Sequence, residues 1–409
     1  MYEGVPLALP PLPFKAEAAV ATTTSAGYMV SGPAATLSRE GIITIEGVSR
    51  DFLVDDSLTF TPFEIAFTTA DGWHVTAHRC LVNVREFPSG AFIVYAATLE
   101  AMRGTIQDRN HVTVYRLVSG LPEGALDGEA RRSDKFFTTA DLAPLSLVHA
   151  RPEDVPLIEP AITGYFIVEG SYSSRRDWED LFGRLYNLLA LAASNFVAFP
   201  LTHVTGSRGE QVELHSTSRE TGRGQSVLYL KYPMALSKFL NSTYDQYVRW
   251  RDLLDLDTLI HYYVLLKNTG YAETRILLGS VLMEGVKYAY AEHYKHWPKD
   301  KKTGKYIKPD GTAHGVLLDF RSLIKEVYSE FGLKNGNTAF VRYRNGVVHQ
   351  GRLSSLTWAQ ARDLAADLEH PIEHLLLCIL AYQGDYWDTT VMDANGRPGA
   401  WVDFASVAI

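Results

Sequence analysis

Apolar and polar residues alternate with a period of two along much of the first ~160 residues, the signature of strands buried on one face. Gly41 to Glu46, Leu58 to Phe67, His74 to Cys80, Ala91 to Ala97 and Val112 to Leu117 follow it. They are short, rich in Val, Ile, Thr, Phe and Tyr, and separated by Gly, Asp or Pro. Such spacing predicts an antiparallel sandwich or barrel-like sheet. Ser119 to Ser133 reads as a loop and Ala161 to Glu169 as a further strand. A helix is predicted from about Asp177 to Phe196, where Trp178, Leu181, Leu185, Leu188, Leu189 and Ala192 recur at helical spacing before Pro200. Gln211 to Thr217 and Val227 to Tyr232 read as a hairpin around a long polar loop.

After Pro233 the period changes to that of helices. Asp252 to Lys267 and Tyr271 to Tyr294 are apolar helical runs divided by Asn268-Thr269-Gly270. A Lys/Gly/Pro-rich loop, Trp297 to Gly315, leads into a helix over Val316 to Glu330. A short helix over Asn337 to Gly351 and a last one from about Thr357 to Tyr382 complete the pattern. The expected fold is α+β: a β-rich N-terminal module over residues 1–245, an all-α bundle over 246–384, and a C-terminal tail over 385–409.

Composition narrows the function classes. With 46% hydrophobic and 21% charged residues and a net charge of -8, no global basic field marks a nucleic-acid binder. Locally the picture inverts, since Lys299 to Arg352 carries eleven Lys and Arg against five Asp and Glu. Two cysteines, Cys80 and Cys378, exclude a disulfide framework and a cysteine zinc site, and fit a reducing cytoplasm. No stretch is long and apolar enough for a membrane span, and the N-terminus lacks the basic start of a signal peptide. The expectation is a cytoplasmic protein without a membrane partner.

Candidate chemistry concentrates in Arg344-Asn345-Gly346-Val347-Val348-His349. A helix puts Asn345 and His349 on one face, with the long Arg344 side chain reaching toward them. Histidine moves protons near neutral pH, and a guanidinium stabilises charge on phosphate oxygens; together they can cut RNA without a metal. Gly346 inside a helix costs about 1 kcal/mol relative to Ala, which suits close approach of another backbone. Two such helices across a two-fold axis would make a symmetric cleft.

This string, within RYRNGVVHQG, resembles the catalytic motif of the HEPN superfamily, an Arg and a polar residue followed after a short gap by His. The resemblance covers roughly residues 246 to 384 and implies a metal-independent endoribonuclease leaving 2',3'-cyclic phosphate ends. It implies Arg344, Asn345 and His349 as catalytic residues, with Glu284 orienting Arg344 and Arg342 in support. The family often has Gly directly after the His, where this chain has Gln350 and then Gly351. Glu284 alternatively pairs with Lys287 at a solvent-facing position. The layout is similar to that of ApeA-type antiphage defence proteins. That likeness implies abortive infection, RNA (tRNA among the candidates) as substrate, a homodimer through the helical domain and a phage-derived trigger at the N-terminal module. The alternative is a non-catalytic HEPN module that binds a protein or nucleotide.

Other constellations carry less. His370-Pro-Ile-Glu-His374 spells the inverted zinc-protease signature, but no Glu follows Glu373 as third ligand and Pro371 should disturb the helix, so a surface His pair on the last helix is expected instead. His74 and His78 share a strand face without a carboxylate or Cys partner in the pattern. Arg109-Asn110-His111 imitates the catalytic string without its gap. Tyr288, Tyr290, Tyr294 and Trp297 fit either base stacking or core packing. Neither a cofactor nor a metal is expected.

Overall fold

The computed structural model describes residues 14–16, 18–22, 27–31, 33–37, 43–49, 62–83, 91–106, 112–121, 145–149, 162–170, 175–216, 226–228, 230, 235–312, 315–333, 338, 340–343, 356–392 and 398–404. The architecture is α+β, with a β-rich N-terminal region and helices toward the C-terminus. Two compact units divide the chain: Met1–Leu181 with Val197–Glu220, and Phe182–Phe196 with Thr221–Ile409.

Among its described residues the first unit contains fourteen strands of one hydrogen-bonded sheet. They are β1 (Phe14–Lys15), β2 (Ala18–Thr22), β3 (Gly27–Ser31), β4 (Ala34–Leu37), β5 (Ile43–Ser49), β6 (Phe63–Thr68), β7 (His74–Asn83), β8 (Ala91–Ala96), β9 (Thr98–Gly104), β10 (Val112–Ser119), β11 (Leu145–His149), β12 (Ile162–Gly170), β13 (Leu201–Gly206) and β14 (Gly209–His215). The path runs β1-β4-β5-β8-β7-β9-β14-β13-β10-β12-β11, with β2 linking β3 to β6 and β6 joined to β7. Alternation decides the faces: in β6, Phe63, Ile65 and Phe67 are buried while Glu64, Ala66 and Thr68 face outward. β7 pairs with β9 over His74–His78 and with β8 over Leu81–Asn83. Its backbone turns between the two at Arg79, in the left-handed region with φ 51°. Opposite it, β8 bends into β9 at Ala97, so one strand pair serves two parts of the sheet.

The expected strands near residues 43, 63, 74, 91, 112 and 162 are present, but the hairpin assignment changes. β14 pairs with β13 across a tight Ser207-Arg208 turn, not with Val227–Tyr232. Val227 and Leu228 lie in a bend. The reason is burial on both faces: Leu201, Thr202, His203 and Val204 are all buried, so β13 shows no alternation to read.

Helix α1 (Arg175–Ala193) starts in the first unit and continues from Phe182 in the second. The second unit adds α2 (Ala235–Leu254), α3 (Leu256–Asn268), α4 (Ala272–Ala289) and α5 (Phe320–Glu330). A 22-residue α6 (Trp358–Ile379) follows. Apolar residues at helical spacing face inward: Phe239, Tyr247 and Leu254 on α2, Ile260 and Val264 on α3, Ile276 and Met283 on α4, Leu368, Ile372 and Leu376 on α6. Gly279 lets α4 approach its neighbours, since a Cβ there would meet Leu368 at 2.6 Å and Leu266 at 3.0 Å. The run read as one helix over Asp252 to Lys267 is broken at Asp255, which takes φ 52° between α2 and α3. The run to Tyr294 ends in a π-helical turn, Tyr290–Tyr294.

The C-terminal part is not all helix. β15 (Tyr306–Lys308) pairs with β16 (Val316–Leu318), and residues read as a tail hold a second hairpin, β17 (Asp385–Met392) with β18 (Pro398–Asp403). No described helix is long and apolar enough to cross a membrane.

Candidate functional site

Arg344, Asn345, Gly346 and His349 lie outside the described residues, as do Arg109, Asn110 and His111. The approach to the motif is visible. Residues 340–343 form a turn and the start of a helix. Phe340, 2% exposed, meets the Phe320 ring edge-on at 6.1 Å. Phe320 opens α5, whose N-cap Asp319 accepts the Ser322 amide at 2.7 Å. The Lys287 ammonium lies 4.9 Å from the centre of the same Phe320 ring and also pairs with Glu284, one turn earlier on α4. Arg342 is exposed, its guanidinium 5.8 Å from the Tyr343 ring. Among the described residues, Phe320 contacts Phe340, Lys287 lies on the same Phe320 ring, and Glu284 pairs with Lys287.

A second constellation lies inside the helical unit. Lys267 of α3 donates to Glu369 at 2.6 Å and to Glu373 at 2.7 Å, both on α6. Arg275 of α4 also pairs with Glu369. The Tyr263 hydroxyl donates to Glu373 at 2.9 Å and contacts Ser194 at 3.0 Å. Burial and the Glu373 charge push the Tyr263 hydroxyl well above its ordinary value, so it stays a donor. Glu373, the residue the inverted protease signature would use as a base, is thus held by a cation and a phenol.

The two histidines of that signature face elsewhere. His370 and His374, one helical turn apart on α6, have ring centres 4.0 Å apart. Asp388 of β17 completes a group whose ligand atoms lie within 4.8 Å of one another. His370 Nδ1 stands 3.8 Å from Asp388 Oδ1, beyond hydrogen-bond reach, and Asp388 Oδ2 accepts from the Tyr386 hydroxyl. His370 Nδ1 and His374 Nε2 are both buried without a hydrogen-bond partner. An unsatisfied buried polar group costs about 1–3 kcal/mol. Tyr386 and Phe404 meet the His374 ring at 4.9 and 5.7 Å. Burial, then the neighbouring His370, lower the His374 imidazole to about 4, against a smaller opposing effect of Asp388. Pro371 sits inside α6 without ending it.

The remaining candidates are structural. His78 lies 2.7 Å from Glu64 and His74 3.0 Å from Thr68, both across the β6–β7 pair. Tyr290, Tyr294 and Trp297 pack with Trp250 and Phe331, with ring centres 4.9 to 6.4 Å apart. Tyr288 is 43% exposed, with the Lys299 ammonium 4.9 Å and the His293 ring 5.3 Å from its ring centre. Burial pushes the thiols of Cys80 and Cys378 up to about 12, which removes them as nucleophiles. Asp388 was missed because it falls in the segment read as a tail, eighteen residues past His370; an Asp in a Tyr-Trp-Asp strand was its one signal. Compared with known proteins, the chain matches no protein-family model, no curated protein and no solved structure.

Proposed function

We propose that this chain is a metal-independent RNA endonuclease of the HEPN type, acting in antiphage defence by abortive infection. The observation that carries the reading is Arg344-Asn345-(three residues)-His349 in a helical C-terminal region. Support comes from the approach to it: Phe340 is anchored on Phe320 beside Lys287 and Glu284. In the proposed chemistry His349 removes the 2'-hydroxyl proton and later protonates the departing 5'-oxygen, while Arg344 stabilises the phosphorane. Asn345 orients the imidazole or the phosphate. The products carry a 2',3'-cyclic phosphate, and a homodimer in the cytoplasm would pair two such sites. The β-rich region would receive a phage-derived trigger, and tRNA is the substrate to test first.

Wild-type and His349→Ala protein are incubated with total tRNA in excess EDTA and resolved on a denaturing gel. The expected result is cleavage by wild type alone, with the variant reduced by about 10²–10⁴-fold and an unchanged melting temperature. Equal cleavage by a folded His349→Ala protein removes the reading. RNA or nucleotide binding without cleavage, in the presence of the trigger, would identify the chain as a HEPN binding module instead.

A further inference from the structure

We propose that His370, His374 and Asp388 bind one divalent transition-metal ion, Zn²⁺ by the chemistry of the donors, and that the ion fastens the β17–β18 hairpin to α6. Two imidazole nitrogens and a carboxylate oxygen are a donor set that suits zinc, with a fourth position left for water. Three observations converge on it. The ligand atoms of the three residues lie within 4.8 Å of one another. Metal–ligand bonds of about 2.1 Å put tetrahedral ligands roughly 3.4 Å apart. The 3.8 Å between His370 Nδ1 and Asp388 Oδ1 is thus near that spacing and too long for a hydrogen bond.

Second, His370 Nδ1 and His374 Nε2 are buried with no protein partner, and the His374 residue is only 4% exposed. A bound cation would satisfy both nitrogens together. Third, the carboxylate is already oriented for coordination. The Tyr386 hydroxyl holds its other oxygen, the outer contact that ligating carboxylates ordinarily have. Tyr386 and Phe404 wall the site on the hairpin side. His370, with its side chain 20% exposed, leaves a route for the ion from solvent.

The role follows from what surrounds the site. A hydrolytic centre of the inverted-signature type needs a free Glu base, and Glu373 is engaged by Lys267 and Tyr263. Two ligands come from one helix and the third from the hairpin, so the ion joins elements that the chain connects only through residues 380–384. The inference is independent of the nuclease reading, because its readouts are metal content and thermal stability.

For the test, untagged full-length protein is stripped with a chelator, equilibrated with Zn²⁺, passed through a desalting column and analysed for zinc, and its melting is followed with and without Zn²⁺. Wild type should retain one zinc per chain and melt several degrees higher when loaded. His370→Ala and Asp388→Asn should lose zinc affinity by about 100-fold or more and show no zinc-dependent shift, while melting near the stripped wild type. Wild type that retains no stoichiometric zinc overturns the proposal. So does retention by both variants equal to wild type. Should Asp388→Asn fail to fold, the half-buried His370→Ala decides the question alone.

Discussion

Lys267 carries an ammonium group into the interior between Glu369 and Glu373, where its side chain is 8% exposed. Lys267→Met would strand Glu373 with only the Tyr263 hydroxyl among the partners described above. Removing one partner of a buried ion pair costs about 3–5 kcal/mol, a loss that a urea unfolding curve would show. Glu284 is the contrasting case. Its pair with Lys287 is partly exposed, so Glu284→Gln should change stability by less than about 1 kcal/mol. If Glu284 orients Arg344, the same variant should lose RNA cleavage while melting normally. Glu330 supplies a pH-dependent contribution. Burial opposes its ionisation, but the Lys295 ammonium and the Tyr294 hydroxyl outweigh that and hold the carboxyl below the usual range. With a depressed folded value, its contribution is present above an unfolded value of about 4.3 and is lost as pH falls through the folded one. Melting temperatures of wild type and Glu330→Gln should therefore differ at pH 7 and converge toward pH 3. At this scale the sequence made the Arg344–His349 string and the His370–His374 pair visible. It could not show Asp388 beside the pair or Lys267 against Glu373, since contacts between residues that distant leave no local pattern.

The helix α6 begins with a reciprocal cap: the Gln360 amide donates to the Thr357 hydroxyl at 3.3 Å, and the Thr357 amide to Gln360 Oε1 at 2.9 Å. Thr357→Ala should lower stability by about 1 kcal/mol, measurable as a fall in denaturation midpoint. The cap and the apolar spacing explain why α6 was legible to within a few residues at either end. Elsewhere the elements obeyed signals that pattern alone does not carry. The break at Asp255 uses a left-handed aspartate where a Gly or Pro would announce a turn. Helix α2 has inward positions at helical spacing, but its Ser, Asn and Thr residues dilute them. β13 is buried on both faces, and β15 and β16 are three residues each, too short for any period to emerge.

Each unit of the molecule is assembled from separate stretches of chain. Phe182–Phe196 belongs with Thr221–Ile409. Asn187 donates to the Tyr247 hydroxyl at 3.1 Å, and Ser194 contacts Tyr263 at 3.0 Å. Leu185, Leu188 and Leu189 are fully buried. A fragment of residues 221–409 should accordingly fail to give a cooperative thermal transition, whereas one of residues 182–409 retains these groups; circular dichroism of the two would show it. The broad change from strands to helices was plain in the sequence, while this interleaving was not, because it depends on where α1 packs rather than on what α1 is. Interleaving also sets an order of events at the ribosome. β9 pairs with β7 on one side and β10 with β12, but their other edges are covered only when β14 and β13 emerge, and Arg103 pairs with Glu210 more than a hundred residues later. Until then a growing chain presents two strands with open backbone edges, the hazard that invites pairing with another copy. Slowing synthesis between residues 120 and 200 should lengthen that exposure and raise the share of chains lost to aggregation.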